Sequence, residues 1–405
     1  MASIGYPVSH TESQPEASAH TATVPIPWYV WCVVASLTSA VFGMHWDASW
    51  HRSIGRDTFW TPAHMAIYAC GVLSGISCAY LILATTFGKR TEIHNDLRAH
   101  SVRIFGLHGP LGSFMAAWGG ICLLVSAPFD NWWHSAYGLD VRFVSPPHLM
   151  VSLGLWFVMM GSILLVLSYL NRAATAGDAG YGFRKMQRLM LYMGGLVVIE
   201  QLFVCFSYTW DLKLHQVTPY VAVGFFVPIA LGVFWTTTRH RWANTIMVAI
   251  YTLSVLALIQ FFPLFPATPR LGPVLFPVTH FVPPRFPQLL LLPAIALDLL
   301  WQRSTRWNSF VRAAISGVLF TALYFACEWP FADFLLSPAS RNRFFATTQF
   351  GFSDVPGPMP AGQWAYELPV HGAVLLHGLV MASACAAIGV WAGMTIGRML
   401  QRVRR

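Results

Sequence analysis

The chain has 405 residues and a net charge of +9, and 56% of its residues are hydrophobic while only 10% are charged. Because a soluble domain usually carries about 25% charged residues, this composition excludes an ordinary soluble protein. The apolar runs are about 20 residues long, which is the length of a membrane-spanning helix. The sequence therefore predicts an all-α integral membrane protein, a polytopic bundle in contact with the lipid bilayer. The basic residues are spread over several loops, so nucleic acid is not expected as a partner.

In chain order, residues 1–26 are polar and are expected to form a disordered cytoplasmic tail. Residues 27–171 are expected to form a four-helix unit with the metal site, and 172–405 a six-helix region with degenerate repeats. The ten predicted spans are 27–46, 61–86, 105–128, 146–171, 189–209, 217–237, 244–262, 287–302, 308–329 and 367–397. The Pro-rich stretch 263–287 is a candidate re-entrant or interfacial segment, and the loop 330–366 is a candidate lid or docking surface.

The distribution of basic residues predicts how these spans are oriented. With both termini inside, most of the 25 Lys and Arg residues fall on inner connections, as the positive-inside rule expects. In a bacterium the protein would then be a multi-pass protein of the inner membrane, with cytoplasmic termini. The outer, periplasmic side would hold most of the carboxylates and about half of the histidines.

One polar pattern occurs twice on this outer side, each time between apolar segments. Eight positions match in type and order: Asp, Trp, His, Gly, Asp, Thr or Ser, Pro and His. The first copy consists of Asp47, Trp50, His51, Gly55, Asp57, Thr61, Pro62 and His64. The second consists of Asp130, Trp133, His134, Gly138, Asp140, Ser145, Pro146 and His148. We interpret the repeat as a helix, an outer motif and a returning helix.

The spacing explains how each copy could gather three ligands. Asp47 and His51 are four residues apart and share a helix face. Thr61 is a good N-cap and Pro62 a good first helical residue, so His64 is expected in the first turn of the returning helix. Two imidazoles and one carboxylate can bind a transition metal and leave coordination positions open. The same reasoning predicts Asp130, His134 and His148 as a second ligand set.

Other residues are candidates for supporting roles. Asp57 and Asp140 could each orient a ligating imidazole, since such a ring usually donates its second N–H to a carboxylate or carbonyl. Trp50 and Trp133 are either membrane-interface residues or part of the cavity wall. The weaker ligand candidates are His45, Asp211, His215 and His371. The alternative without a metal is that each motif is a structural corner in which Asp and His cap helices and pair with each other.

A haem is not expected, because few histidines lie deep within the predicted spans and each cluster includes an Asp. Glu200 is an isolated acid within a span, and it could mark a proton path or pair with a neighbour. The seven cysteines lie in apolar segments and include no Cys-x-x-Cys pair, which favours a packing role.

The motif spacing resembles that of the metal-binding membrane subunit of copper-dependent particulate methane and ammonia monooxygenases. In that family one site has Asp-x3-His-x12-His, as in Asp47, His51 and His64. A second has Asn-x3-His-x13-His, which matches Asp130, His134 and His148 with Asp in place of Asn. The resemblance covers about residues 43–150. It implies copper, dioxygen, a small apolar substrate or ammonia, and further membrane or periplasmic subunits.

The ligand set by itself does not distinguish copper from iron or zinc. A membrane transporter or metal-handling protein is the second hypothesis, because repeats with polar residues near helix breaks are also found in transporters. Both copies leave and re-enter on the same face, which mildly favours the first hypothesis over inverted-repeat transport. A structural or assembly subunit without catalysis is the third hypothesis.

Overall fold

The computed structural model describes residues 26–55, 60–89, 92–138, 145–175, 181–205, 215–270, 278–346 and 369–404. The protein is an all-α polytopic membrane bundle. Its helices are α1 Trp28–Ser53, α2 Pro62–Phe87, α3 Glu92–Ala99, α4 Leu111–Tyr137, α5 Pro146–Thr175, α6 Tyr181–Cys205, α7 Val217–Thr238, α8 Ala243–Phe261, α9 Leu291–Arg303, α10 Ser309–Leu336 and α11 Gly372–Leu400. A hairpin of β1 Val102–Ile104 and β2 Leu107–Gly109 precedes α4. Among the described residues, nine helices are long and apolar enough to span a membrane.

Several helix bounds differ from the predicted spans. α1 and α4 both run past their predicted ends toward Gly55 and Gly138, and α4 continues through Pro128. These two glycines have φ angles of +98° and +85°, a conformation that favours glycine and ends a helix. The predicted start of the third span at 105 is wrong, since Phe105 and Gly106 form the left-handed turn of the hairpin. α6 begins at Tyr181, earlier than the predicted 189.

The eighth predicted span, 287–302, is not a complete helix. α9 has 13 residues and is about 20 Å long, which is shorter than the apolar thickness of a bilayer. The chain nevertheless passes from one end of the bundle to the other. Val282 exchanges hydrogen bonds with Ser49 and Ser53 at the end of α1, while Gln302 donates to the Arg241 carbonyl at the start of α8. Residues 281–303 therefore form a broken crossing, extended first and then helical.

Non-helical backbone at membrane depth needs partners inside the protein. The Leu289 N–H donates to Oε2 of Glu328 at 2.8 Å, and the Gln288 N–H donates to the Tyr251 hydroxyl at 2.7 Å. The Tyr324 hydroxyl donates to the Gln288 side chain at 2.7 Å. Glu328 is only 3% exposed, so its carboxylate is a buried hydrogen-bond acceptor for the extended backbone of the broken crossing.

The predicted re-entrant stretch and outer loop both lie against this crossing. After α8 the chain makes a short 3-10 turn, Phe262–Leu264, and Pro266 pairs with His280. Phe286, in the extended half, packs against Phe344 and Phe345 beyond α10. The remainder of the predicted loop, from 347 to 366, lies outside the described residues, as does the predicted tail from 1 to 25.

The four helices that hold the repeated motif, α1, α2, α4 and α5, pack together. Glycines bring α4 and α5 into backbone contact: a Cβ on Gly119 would lie 2.6 Å from the Val158 nitrogen and 2.7 Å from the Gly154 carbonyl oxygen. Small residues at such positions are typical of membrane helix pairs. One continuous buried cluster extends from these four helices into the second half of the chain.

Candidate metal centre

The first copy of the motif is built on the last turns of α1. Because α1 stays helical to Ser53, Asp47 and His51 lie on one face, four residues apart. Nε2 of His51 is 3.5 Å from Oδ2 of Asp47. The side chain of His51 is 40% exposed and that of Asp47 only 20%, so the imidazole forms the outer edge of the group. We call this end of the bundle the motif end.

The third member of the group comes from the start of α2. Thr61 is extended, and its hydroxyl accepts a hydrogen bond from the His64 N–H at 3.2 Å. Pro62 is the first helical residue, as predicted. The N-cap fixes the first turn so that Nε2 of His64 lies 3.1 Å from Oδ1 of Asp47. The Asp47 carboxylate therefore faces one imidazole with each oxygen.

This geometry suits a metal ion. One ligand atom from each of Asp47, His51 and His64 lies within 4.8 Å of the others. Two ligands at about 2.0–2.2 Å from an ion are roughly 3.0–3.5 Å apart for octahedral or tetrahedral angles. The nitrogen–oxygen distances match that range. Oδ1 of Asp47 is buried and has Nε2 of His64 3.1 Å away, a contact that either a hydrogen bond or a shared ion would account for.

The second copy repeats the arrangement at the end of α4 and the start of α5. Nε2 of His134 is 3.4 Å from Oδ1 of Asp130, and Nε2 of His148 is 4.0 Å from the same atom. The two imidazole centroids are 6.4 Å apart at 64°, compared with 6.3 Å and 61° for His51 and His64. The second group is wider than the first: of the two, only the first brings one ligand atom of each member within 4.8 Å of the others among the described residues. Asp130 is only 6% exposed.

Local partners set the orientation of both imidazoles in the second copy. Nδ1 of His134 donates to the Gly138 carbonyl at 3.2 Å, and Nδ1 of His148 pairs with the Ser145 hydroxyl at 2.9 Å. Each contact leaves Nε2 directed toward Asp130. Second contacts of this kind hold ligating imidazoles in metal sites.

The two groups are neighbours. The Tyr68 hydroxyl on α2 interacts with Ser126 on α4 and lies within electrostatic range of both Asp47 and Asp130. Asp47 also interacts electrostatically with His148 of the other group. The sequence reasoning missed Tyr68 and Ser126. A signal was available, because Tyr68 follows His64 by four residues and Ser126 precedes Asp130 by four, so each shares a helix face with a candidate ligand.

The structure describes the two predicted tryptophans but not the two predicted carboxylates. Asp57 and Asp140 lie outside the described residues. Trp50 packs against Phe281 of the broken crossing at 5.7 Å between centroids. Trp133 packs against Tyr137 at 4.5 Å, within an aromatic group at the end of α4.

The weaker candidates are not gathered at either group. His45 is buried, pairs with the Val41 carbonyl at 2.9 Å and packs on Phe203. His215 lies 3.0 Å from Asp333, a pair that the sequence did not predict. His371 is exposed at the start of α11. Asp211 lies outside the described residues.

Glu200, the isolated acid within a span, lies on α6, and its Oε1 atom is buried without a hydrogen-bond partner in the described chain.

Comparison with protein-family models, curated proteins and solved structures found no match for this chain.

Proposed function

We propose that this multi-pass membrane protein binds a transition metal through Asp47, His51 and His64. The observation that carries the proposal is the convergence of one carboxylate and two imidazoles from two helices, with their ligand atoms within 4.8 Å. Asp130, His134 and His148 would form a second or alternative site beside it. Copper is favoured by the resemblance in spacing, with iron and zinc as alternatives for the same ligand types.

The proposed activity is that of a monooxygenase-like subunit that oxidises a small apolar substrate or ammonia with dioxygen. A bound copper ion would supply dioxygen binding and activation. The chain itself would position the ion near the membrane surface and admit an apolar substrate from the bilayer. Met65 is 38% exposed next to His64, and Leu149 is 56% exposed next to His148, so both groups border an apolar surface.

The same proposal places the protein in a bacterial inner membrane with the motif end toward the periplasm, as the distribution of basic residues favours. Further membrane or periplasmic subunits would supply electrons and complete the enzyme. This assignment comes from the resemblance and from charge.

Metal analysis of the full-length protein, purified in a neutral detergent and reloaded with copper, iron or zinc, tests the site. The wild type is expected to retain metal through gel filtration, and His51→Ala and His64→Ala are expected to lose most of it. His371→Ala removes an exposed histidine outside both groups and is expected to behave like the wild type. Equal metal content in all four proteins would refute the metal site.

A metal-handling transporter is the second candidate, and the broken crossing at 281–303 favours it. Interrupted helices with buried acids are a feature of transporter binding sites. Reconstitution into liposomes separates the two functions. Metal-dependent oxygen consumption with small alkanes or ammonia supports the monooxygenase, whereas movement of the metal ion into the liposomes supports transport.

A further inference from the structure

A groove lies at the end of the bundle opposite the motif end, between the first turn of α10 and the last turns of α11. Its volume is about 430 Å³. Arg398 and Arg402 line one side, and Ser309 lies at the start of α10. Phe310 and Trp391 stack at 5.8 Å between ring centroids and form an apolar wall. The groove therefore combines two guanidinium groups with an aromatic surface.

A third guanidinium belongs to the same cluster. Arg312, one turn into α10, interacts electrostatically with Arg398, and its Nε atom is buried without a hydrogen-bond acceptor in the described chain. Arg398 donates to the Met394 carbonyl at 3.2 Å and to the Thr395 hydroxyl at 3.4 Å, both of which are neutral.

No carboxylate within the described ranges forms an ion pair with Arg312, Arg398 or Arg402. Two described acids at this end have other partners. Asp96 pairs with Arg172, and Asp298 accepts hydrogen bonds from the first turn of α8. Because no described carboxylate pairs with them, the three neighbouring positive charges repel one another, and a bound anion would relieve that repulsion. The amino end of α10 adds its dipole to the same field.

We propose that this groove binds the phosphate of an anionic phospholipid headgroup. Arginine forms strong, often paired hydrogen bonds to phosphate oxygens, and basic pockets between membrane helices bind such headgroups. The apolar wall argues for a lipid, because a soluble phosphate would make no use of Phe310 and Trp391. Further along the same helices, Val318 is 59% and Ile388 is 55% exposed, which provides an apolar path for acyl chains.

Native mass spectrometry of the full-length protein in neutral detergent tests the site by titration with phosphatidylglycerol, phosphatidylcholine or inorganic phosphate. The wild type is expected to retain phosphatidylglycerol at least tenfold more tightly than phosphatidylcholine. The double variant Arg398→Gln/Arg402→Gln is expected to lose this preference. Arg103→Gln, an exposed arginine on the β1 strand, is the matched control and is expected to keep it.

Equal retention of both lipids by the wild type would overturn the proposal, as would an unchanged preference in the double variant. Displacement of phosphatidylglycerol by millimolar inorganic phosphate would overturn the lipid assignment and leave a phosphate site. Arg402→Gln alone changes a residue beyond the end of α11, so it provides a folded variant if the double variant is unstable. It is expected to show a smaller loss in the same direction.

Discussion

Nε2 of His64 and Oδ1 of Asp47 lie 3.1 Å apart although they belong to different helices. The contact closes the corner between α1 and α2, and its counterpart between α4 and α5 joins His148 to Asp130. A corner of this kind could be purely structural, held together by an imidazole–carboxylate pair without a metal. Variants at Asp47 separate that alternative from a metal site.

Asp47→Asn keeps one acceptor oxygen, for either His51 or His64, but removes the charge that a cation needs. We expect metal affinity to fall by at least tenfold while the thermal unfolding temperature changes little. Metal titration and thermal unfolding in detergent measure the two effects. The matched control is Asp96→Asn, because Asp96 also pairs with a histidine four residues later, at 3.2 Å, but without a third ligand. If Asp47→Asn and Asp96→Asn bind metal equally well, the corner is structural.

Ser145 is expected to support the second group through His148. In a His51→Ala background only the second group can hold an ion, so changes there become visible. We expect Ser145→Ala to lower the residual metal affinity about 10- to 100-fold, as removal of a partner behind a ligating imidazole usually does. Isothermal titration calorimetry with the metal measures this residual affinity. An unchanged affinity would mean that the 2.9 Å contact does not orient the ring for binding.

Gly119 sets the separation of α4 and α5, and with it the distance from Asp130 to His148. Gly119→Ala forces a methyl group into the backbone of α5, so we expect a loss of about 1–3 kcal/mol in unfolding free energy. Metal binding by the second group should weaken in parallel. Gly75→Ala on α2 is the control, because a Cβ there has no neighbour within 4 Å. If Gly119→Ala and Gly75→Ala have similar unfolding free energies, α5 moves away from α4 without loss of stability.

Glu328 is expected to stabilise the broken crossing as a hydrogen-bond acceptor. Glu328→Gln keeps an oxygen for the Leu289 N–H and should be nearly neutral. Glu328→Leu leaves that N–H buried without a partner, at a cost of about 1–3 kcal/mol. Unfolding monitored by circular dichroism compares the two. Val318→Leu, at a 59% exposed position on the same helix, controls for the added apolar volume. A destabilised Gln variant would show that the charge itself is needed.

The orientation of the chain can be tested with exposed positions at opposite ends of the bundle. Trp60, at the motif end, is 72% exposed, and Phe105, at the hairpin tip, is 90% exposed. We expect a cysteine at 60 to react with a membrane-impermeant thiol reagent on intact spheroplasts. A cysteine at 105 should react only after lysis. The parent protein, whose seven cysteines all lie in helices, gives the background. The reverse pattern would invert the proposed topology.

The all-α membrane fold could be predicted because apolar length and low charge leave few alternatives. The corner geometry could be predicted too, since Thr61 and Pro62 specify a helix start by local rules that need no knowledge of the rest of the chain. The repeated Gly55 and Gly138 were recognised as a pattern, but their role as helix ends became clear only from their positive φ angles.

Sequence periodicity could not predict the contacts between distant segments. The apolar run at 287–302 looks like a short span, and nothing local shows that its first part is extended. That conformation depends on Glu328 and Tyr251, which are far away in the chain and accept its backbone N–H groups. The proximity of the two ligand groups through Tyr68 is likewise a result of how α2 packs against α4.

The broken crossing also has a consequence for how the protein enters the membrane. A nascent segment that reaches the bilayer alone must satisfy its own backbone hydrogen bonds, and the extended residues 281–290 cannot do so. Their acceptors include Tyr251 on α8, which is made earlier, and Glu328 on α10, which is made later. A stable position of this segment at membrane depth therefore requires both α8 and α10, so we expect it to be completed only after α10 has been synthesised.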